Sequence, residues 1–282
     1  MRPRYSFSSR HSGKIQNIRK QRGKYPALAK KIVQDSDIIL EIIDARFIDE
    51  TRNEAIEEEI KKKKKKLIYV FNKADLIDRK NVKANLKELV PHVFVSATER
   101  NGIKRLRDRI KIESKKIDKK PNEEGNYEKI AVGIIGYPNT GKSSLINSLI
   151  GKSSAGVGSD AGFTKSIQKL KLSENVVLLD SPGIIPEKEY STQSREKMSL
   201  NAKVGARSYS QIKEPDLVIA LIIADYPGIL ENFYKIDAKG DSEMLIEELG
   251  KRKGFLKKGG EVNEDTAARL ILKDWQQGKI KL

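Results

Sequence analysis

The chain has 282 residues, 38% hydrophobic and 34% charged, with a formal net charge of +17 and no cysteine. That length supports one α/β core with a smaller second unit, and the lack of thiols excludes disulfides, thiolate metal sites and thiol catalysis. No apolar run approaches the roughly 18 residues of a membrane span and Met1-Arg2-Pro3-Arg4-Tyr5 lacks a signal-like stretch, so a cytoplasmic protein with no membrane partner is expected.

Residues 1–34 hold ten Lys or Arg and no acid, a basic arm that would repel itself and be drawn to a phosphate backbone in a salt-dependent way. A strand over Asp37–Ile43 follows, then a helix over Glu50–Lys63 that ends in the run Lys61–Lys66. Lysines suit a helix C-terminus, and solvation and RNA contact are both open for this run. Leu67–Phe71 is the next strand, and Asn72-Lys73-Ala74-Asp75 begins at its carboxyl end, where open parallel sheets bind ligands. The Asp75 carboxylate can accept from guanine N1–H and the exocyclic amine, a donor pair that adenine lacks. The Asn72 amide suits the N7 edge, and the Lys73 stem can lie across the ring. The competing reading is a polar loop with Asp75 capping the next helix. Val93-Phe94-Val95 is a third strand leading into Ser96-Ala97-Thr98, where the Ala97 N–H would meet guanine O6 in a guanine-binding fold. A helix over Ile103–Ile117 precedes a polar linker at about 119–127.

Lys129–Ile135 is a short β-branched run before Gly136-Tyr137-Pro138-Asn139-Thr140-Gly141-Lys142-Ser143, and a helix is expected over Lys142–Ile150. Strand, glycine-rich turn and helix together form the context in which Gly136 and Gly141 let successive N–H groups point at phosphates, and Asn139, Thr140 and Gly141 are expected among the nucleotide-binding residues. Lys142 would reach the outer phosphates, Ser143 would ligate magnesium, and Ser144 would face the inner phosphate. A hairpin over Ile167–Leu172 and Val176–Leu179 delivers Asp180-Ser181-Pro182-Gly183, with Asp180 for the magnesium shell and the Gly183 N–H for a γ-phosphate. Thr164, in the glycine- and serine-rich stretch before it, is the candidate for a second hydroxyl on magnesium. Beyond Thr192 the pattern turns to helices: Pro215–Ala224, Gly228–Lys235, Ser242–Leu249 and Glu264–Gln276. Residues 251–282 carry nine basic against four acidic side chains. Trp275, Ala267, Leu270 and Ile271 fall on one helical face and read as core.

The base-reading motif thus precedes the phosphate loop, the reverse of ordinary small GTPases. With this order, Asn72–Asp75, Ser96–Thr98, Gly136–Ser144, Asp180–Gly183 and the segment Gly259–Asn263, the chain resembles the circularly permuted GTPases of the YlqF/YawG type. The resemblance covers nearly the whole length. It implies an α/β P-loop GTPase fold with permuted motif order, a mostly parallel sheet with helices on both faces, and a C-terminal α-helical domain. The division expected is a basic arm at 1–34, the GTPase domain at 35–190 and the helical domain at 191–282. The resemblance further implies binding of GTP and GDP with Mg2+ and a monomer that assists assembly of the large ribosomal subunit through rRNA contacts. Ile184 stands where Ras-like enzymes carry a water-orienting glutamine, so slow intrinsic hydrolysis, stimulated by the partner, is expected. Lys142, Thr164 and His11 are the catalytic candidates, His11 lying near where relatives have a histidine suspected of positioning water. Relatives with Pro-Asn before the Gly-Lys can bind potassium, so the resemblance offers Asn139 and a potassium ion as a second route. A signalling switch with protein partners and an RNA-binding protein with a structural nucleotide stay open as alternatives.

Overall fold

The computed structural model describes residues 24–78, 82, 86–118, 128–151, 168–180 and 195–282. Its strands are β1 (Ile38–Asp44), β2 (Lys66–Asn72), β3 (His92–Phe94), β4 (Ile130–Gly136), β5 (Gln168–Lys171) and β6 (Val176–Asp180), in one sheet of order β3-β2-β1-β4-β6-β5. Every residue of β1 is buried, Glu41 and Asp44 included, as befits a central parallel strand covered on both faces. All neighbours are parallel except β5 with β6, which form the expected hairpin at the sheet edge.

Helix α1 (Lys24–Asp35) sets Ala29, Ile32 and Val33 against Ile39 and Ile135. The segment expected as arm up to residue 34 is therefore, from Lys24 onward, a sheet-covering helix, because an apolar i, i+3, i+4 stripe runs through its lysines. Lys30 and Lys31 lie on its exposed side. The single helix expected at 50–63 is divided into α2 (Ile48–Thr51) and α3 (Glu54–Lys62). Arg52 is extended at φ −75° and ψ 155°. The Asn53 side chain accepts from the Ile56 N–H at 3.2 Å, capping α3, and the Asn53 N–H donates to buried Glu41 Oε1 at 2.8 Å. Past β2 the chain makes a 3₁₀ turn, Ala74–Leu76. Helices α4 (Ile103–Ser114) and α5 (Lys142–Ile150) cover the other face with Leu106, Ile110, Leu145, Ile146 and Leu149.

The remaining helices are α6 (Arg195–Lys203), α7 (Pro215–Asp225), α8 (Ile229–Tyr234), α9 (Ser242–Lys253) and α10 (Glu264–Gln276). Four match expected segments, and α6 was not foreseen. Trp275 and Ala267 are fully buried in their core, with Ile271, while Leu270 packs at its margin. Two members of that core come from the sheet unit: Phe47, after β1, and Tyr137, within the glycine-rich loop. The helical unit therefore completes its hydrophobic core on the loop that the sequence assigns to phosphates. Among the described residues, no helix is long and apolar enough to cross a membrane.

Candidate nucleotide site

The chain runs outward from β1 to β2 and β3, then returns to the other side of β1 with β4, which places a topological switch point between β1 and β4. Crevices at such points, outside the carboxyl ends of the strands, are where open α/β sheets take ligands. The register brings the motif residues there together: Asp44 lies opposite Asn72, Ile42 opposite Gly136, and Ile134 opposite Asp180.

Asn72 joins three loops. Its buried side chain donates from Nδ2 to the Thr140 carbonyl at 2.8 Å, and its Oδ1 accepts from the Ala97 N–H at 3.2 Å. The groups expected on the N7 edge and on O6 thus bond to each other, because a buried amide has to be satisfied on both sides. Ser148 Oγ donates to the Ala97 carbonyl at 2.9 Å, tying α5 to the same loop. Gly141 stands at φ +92°, and a Cβ there would run into Asn72 Nδ2. Glycine is needed both for the backbone angle and for the approach of the base-reading strand. Ser96 is buried and its Oγ accepts from the Glu99 N–H at 3.1 Å, while Thr98 is exposed.

Asp75 lies in the 3₁₀ turn, whose N-cap residue is Lys73 at φ 61° with no side-chain cap. The capping reading of Asp75 therefore fails. Its Oδ1 is buried and finds no hydrogen-bond partner among the described residues. A buried carboxylate oxygen without a donor is costly, and a two-donor base edge is the kind of group that would satisfy it.

On the phosphate side, Lys142 is buried and its Nζ donates to the carbonyls of Gly136 at 3.1 Å and Tyr137 at 2.7 Å. Burial lowers its pKa to about 8; nearby Lys73 adds to the effect and Asp180 opposes it. Ser143 and Ser144 open α5 and are partly exposed. Asp180 is buried at the end of β6. Among the described residues no group of three or more His, Asp or Glu could cage a metal. A hydroxyl and one carboxylate beside a phosphate cradle suit Mg2+, which commonly takes few protein ligands and completes its shell with phosphates and water. Asn139, at φ +60°, donates from Nδ2 to the Gly205 carbonyl at 2.8 Å, linking the loop to the turn after α6. His11, Thr164 and Gly183 lie outside the described residues. The sequence reading passed over Asp44 and Arg46, although a polar pair at the carboxyl end of a buried strand was a legible signal.

The solved structure of GNP-bound YlqF from Thermotoga maritima aligns with a TM-score of 0.61 at 24% identity, covering 91% of this chain and 94% of that one. A GDP-bound YlqF structure aligns with a TM-score of 0.60 over 89% of this chain. The chain shares the fold of the circularly permuted GTPase YlqF. The family described as 50S ribosome-binding GTPase matches residues 131–247. An uncharacterized GTP-binding protein of Methanocaldococcus jannaschii is 37% identical over 256 residues, which cover 90% of this chain and 65% of that protein. Nucleolar GTP-binding protein 2 of Saccharomyces cerevisiae is 33% identical over 269 residues, covering 89% of this chain and 51% of the yeast protein. The chain thus spans between about half and two thirds of the length of those relatives.

Proposed function

We propose that this chain binds GTP and GDP with Mg2+ at the β1–β4 switch point, hydrolyses GTP, and acts in assembly of the large ribosomal subunit. One observation carries the base assignment: the buried oxygen of Asp75 that has no partner among the described residues, beside an Asn72 amide that binds the base loop to the phosphate loop. In the mechanism, the left-handed Gly141 turns the N–H groups that open α5 toward bound phosphates. Lys142 moves its ammonium from the Gly136 and Tyr137 carbonyls to the outer phosphate oxygens and offsets charge that develops there. Ser143 and Asp180, with Thr164, would hold Mg2+, which supplies charge neutralisation between the terminal phosphates. Ile184 can neither donate nor accept, so the intrinsic rate is slow, and His11 or a potassium ion beside Asn139 completes the site. A cytoplasmic monomer is part of the proposal, although several relatives are named nucleolar GTP-binding proteins.

The ribosomal part rests on the 50S-binding description of the matched family, on the excess of 17 positive charges, and on Tyr137 and Asn139 joining the phosphate loop to the helical unit, whose last segment, residues 251–282, is basic. Those contacts let the nucleotide state bias how the helical unit meets rRNA. Co-sedimentation with large ribosomal subunits should be strong with a non-hydrolysable GTP analogue and weak with GDP, and the subunits should accelerate hydrolysis. A chain that ignores ribosomes would be a switch on protein partners, and one that binds them alike in both nucleotides would be a static RNA binder.

A further inference from the structure

The base-reading lysine is anchored at its far end. Lys73 Nζ lies 2.7 Å from Asp44 Oδ2, with the Asp44 side chain 1% exposed and that of Lys73 20% exposed. Asp44 is the last residue of β1 and sits opposite Asn72, so the anchor is part of the strand-end row that forms the site. Arg46 fixes the other edges of the same carboxylate: Nη2 donates to Oδ2 at 2.9 Å, while Nε and the backbone N–H each donate to Oδ1 at 3.1 Å. Burial alone would raise the pKa of Asp44, but Arg46 and Lys73 outweigh it and hold the carboxyl below the usual range. For Lys73, burial lowers the pKa and Asp44 works against that, so the ammonium depends on this partner. Arg46 Nη1 in turn donates to the Trp275 carbonyl at 2.9 Å, which ties the anchor to α10.

We propose that Asp44 is a positioning residue for base recognition. It holds Lys73 by the ammonium so that the methylene stem is ordered at the base subsite before a nucleotide arrives, and Arg46 braces that arrangement against the helical unit. The inference rests on the guanine reading of the pocket. A lysine with a loose head would lose rotamer freedom on covering the ring, whereas an anchored stem has lost it already. Asp44 touches no ligand in this role and acts only through Lys73.

Calorimetric titration of the full chain with GDP, and separately with magnesium pyrophosphate, tests this on Asp44→Asn, Lys73→Met and the double variant. Each single change should weaken GDP about tenfold, and the double should also lose about tenfold instead of a hundredfold, since both remove one anchored stem. Pyrophosphate binding should not weaken, because the phosphate loop is intact; a merely structural role for Asp44 would weaken both ligands. Losses that multiply, or an Asp44→Asn chain that binds GDP like the unaltered one, overturn the proposal. If Asp44→Asn alone does not fold, the double variant decides: a tenfold loss for GDP alone supports the anchor, and unchanged GDP affinity overturns it. An unaltered chain that takes up no GDP sinks the guanine reading, and this inference with it.

Discussion

Two buried carboxyls illustrate how environment divides similar residues. Asp44 is surrounded by cationic donors and stays ionised, whereas Glu41, three residues earlier on the same strand, has only the Asn53 N–H on Oε1 and no partner on Oε2 among the described residues. The charged groups facing Glu41 are Glu57 and Arg52 on the helix side, with the Tyr69 hydroxyl from β2 bonded to Glu57 at 2.8 Å. Burial first, then the Glu57 charge, raises the Glu41 pKa from 4.5 to about 8. Between those two values the folded chain holds a proton that the unfolded chain has released, so this group makes stability fall as pH rises, by up to about 1 kcal/mol per pH unit. Glu41→Gln should flatten the decline. Urea unfolding at pH 5 and pH 8 would show it, and a slope equal to that of the unaltered chain would contradict the assignment.

Loops and helix ends, more than strands, decide what the site can do. The strand ends that carry the glycine-rich loop and Asn72–Asp75 were legible because each pairs a fixed spacing with an apolar run, and the register brings the two ends together. The contact between them was not legible: Gly141 is spaced for phosphates, yet its missing Cβ also makes room for Asn72 Nδ2. Gly141→Ala should therefore cost about 1–2 kcal/mol from the left-handed angle alone. By displacing Asn72 it should weaken guanine nucleotides and adenine analogues alike, by at least tenfold, as measured by calorimetry; undiminished GDP binding would contradict the packing. Helix boundaries were read less well, for local reasons. The division at Arg52 depends on a buried glutamate that takes the Asn53 N–H, a contact twelve residues away that no helical periodicity announces. In α1 the abundance of lysine masked the stripe Ala29, Ile32, Val33.

At the level of the whole molecule, a shared core joins the helical unit to the candidate site. Tyr137 from the phosphate loop and Phe47 from the β1–α2 turn lie in the same cluster as Trp275, and the Phe47 and Trp275 rings are 5.9 Å apart. The end of the chain closes on the base loop as well: the Leu282 N–H donates to the Leu76 carbonyl at 2.8 Å, and Gly278 leaves no room for a Cβ beside Leu76. Length allowed a second unit and the apolar spacing beyond Thr192 read as helical, but this interlock was not legible, because nothing in a local pattern shows that an aromatic in a glycine-rich loop fills a distant core. All of these connections converge on one crevice, and its base selectivity is the most direct measure of whether the transposed loops assemble as described. Calorimetric titration of the unaltered chain with GDP and with ADP, in magnesium buffer, should give GDP binding at least about a hundredfold tighter, as two hydrogen bonds to the Asp75 side chain would supply. Equal affinity for the two, or binding of neither, would contradict the account.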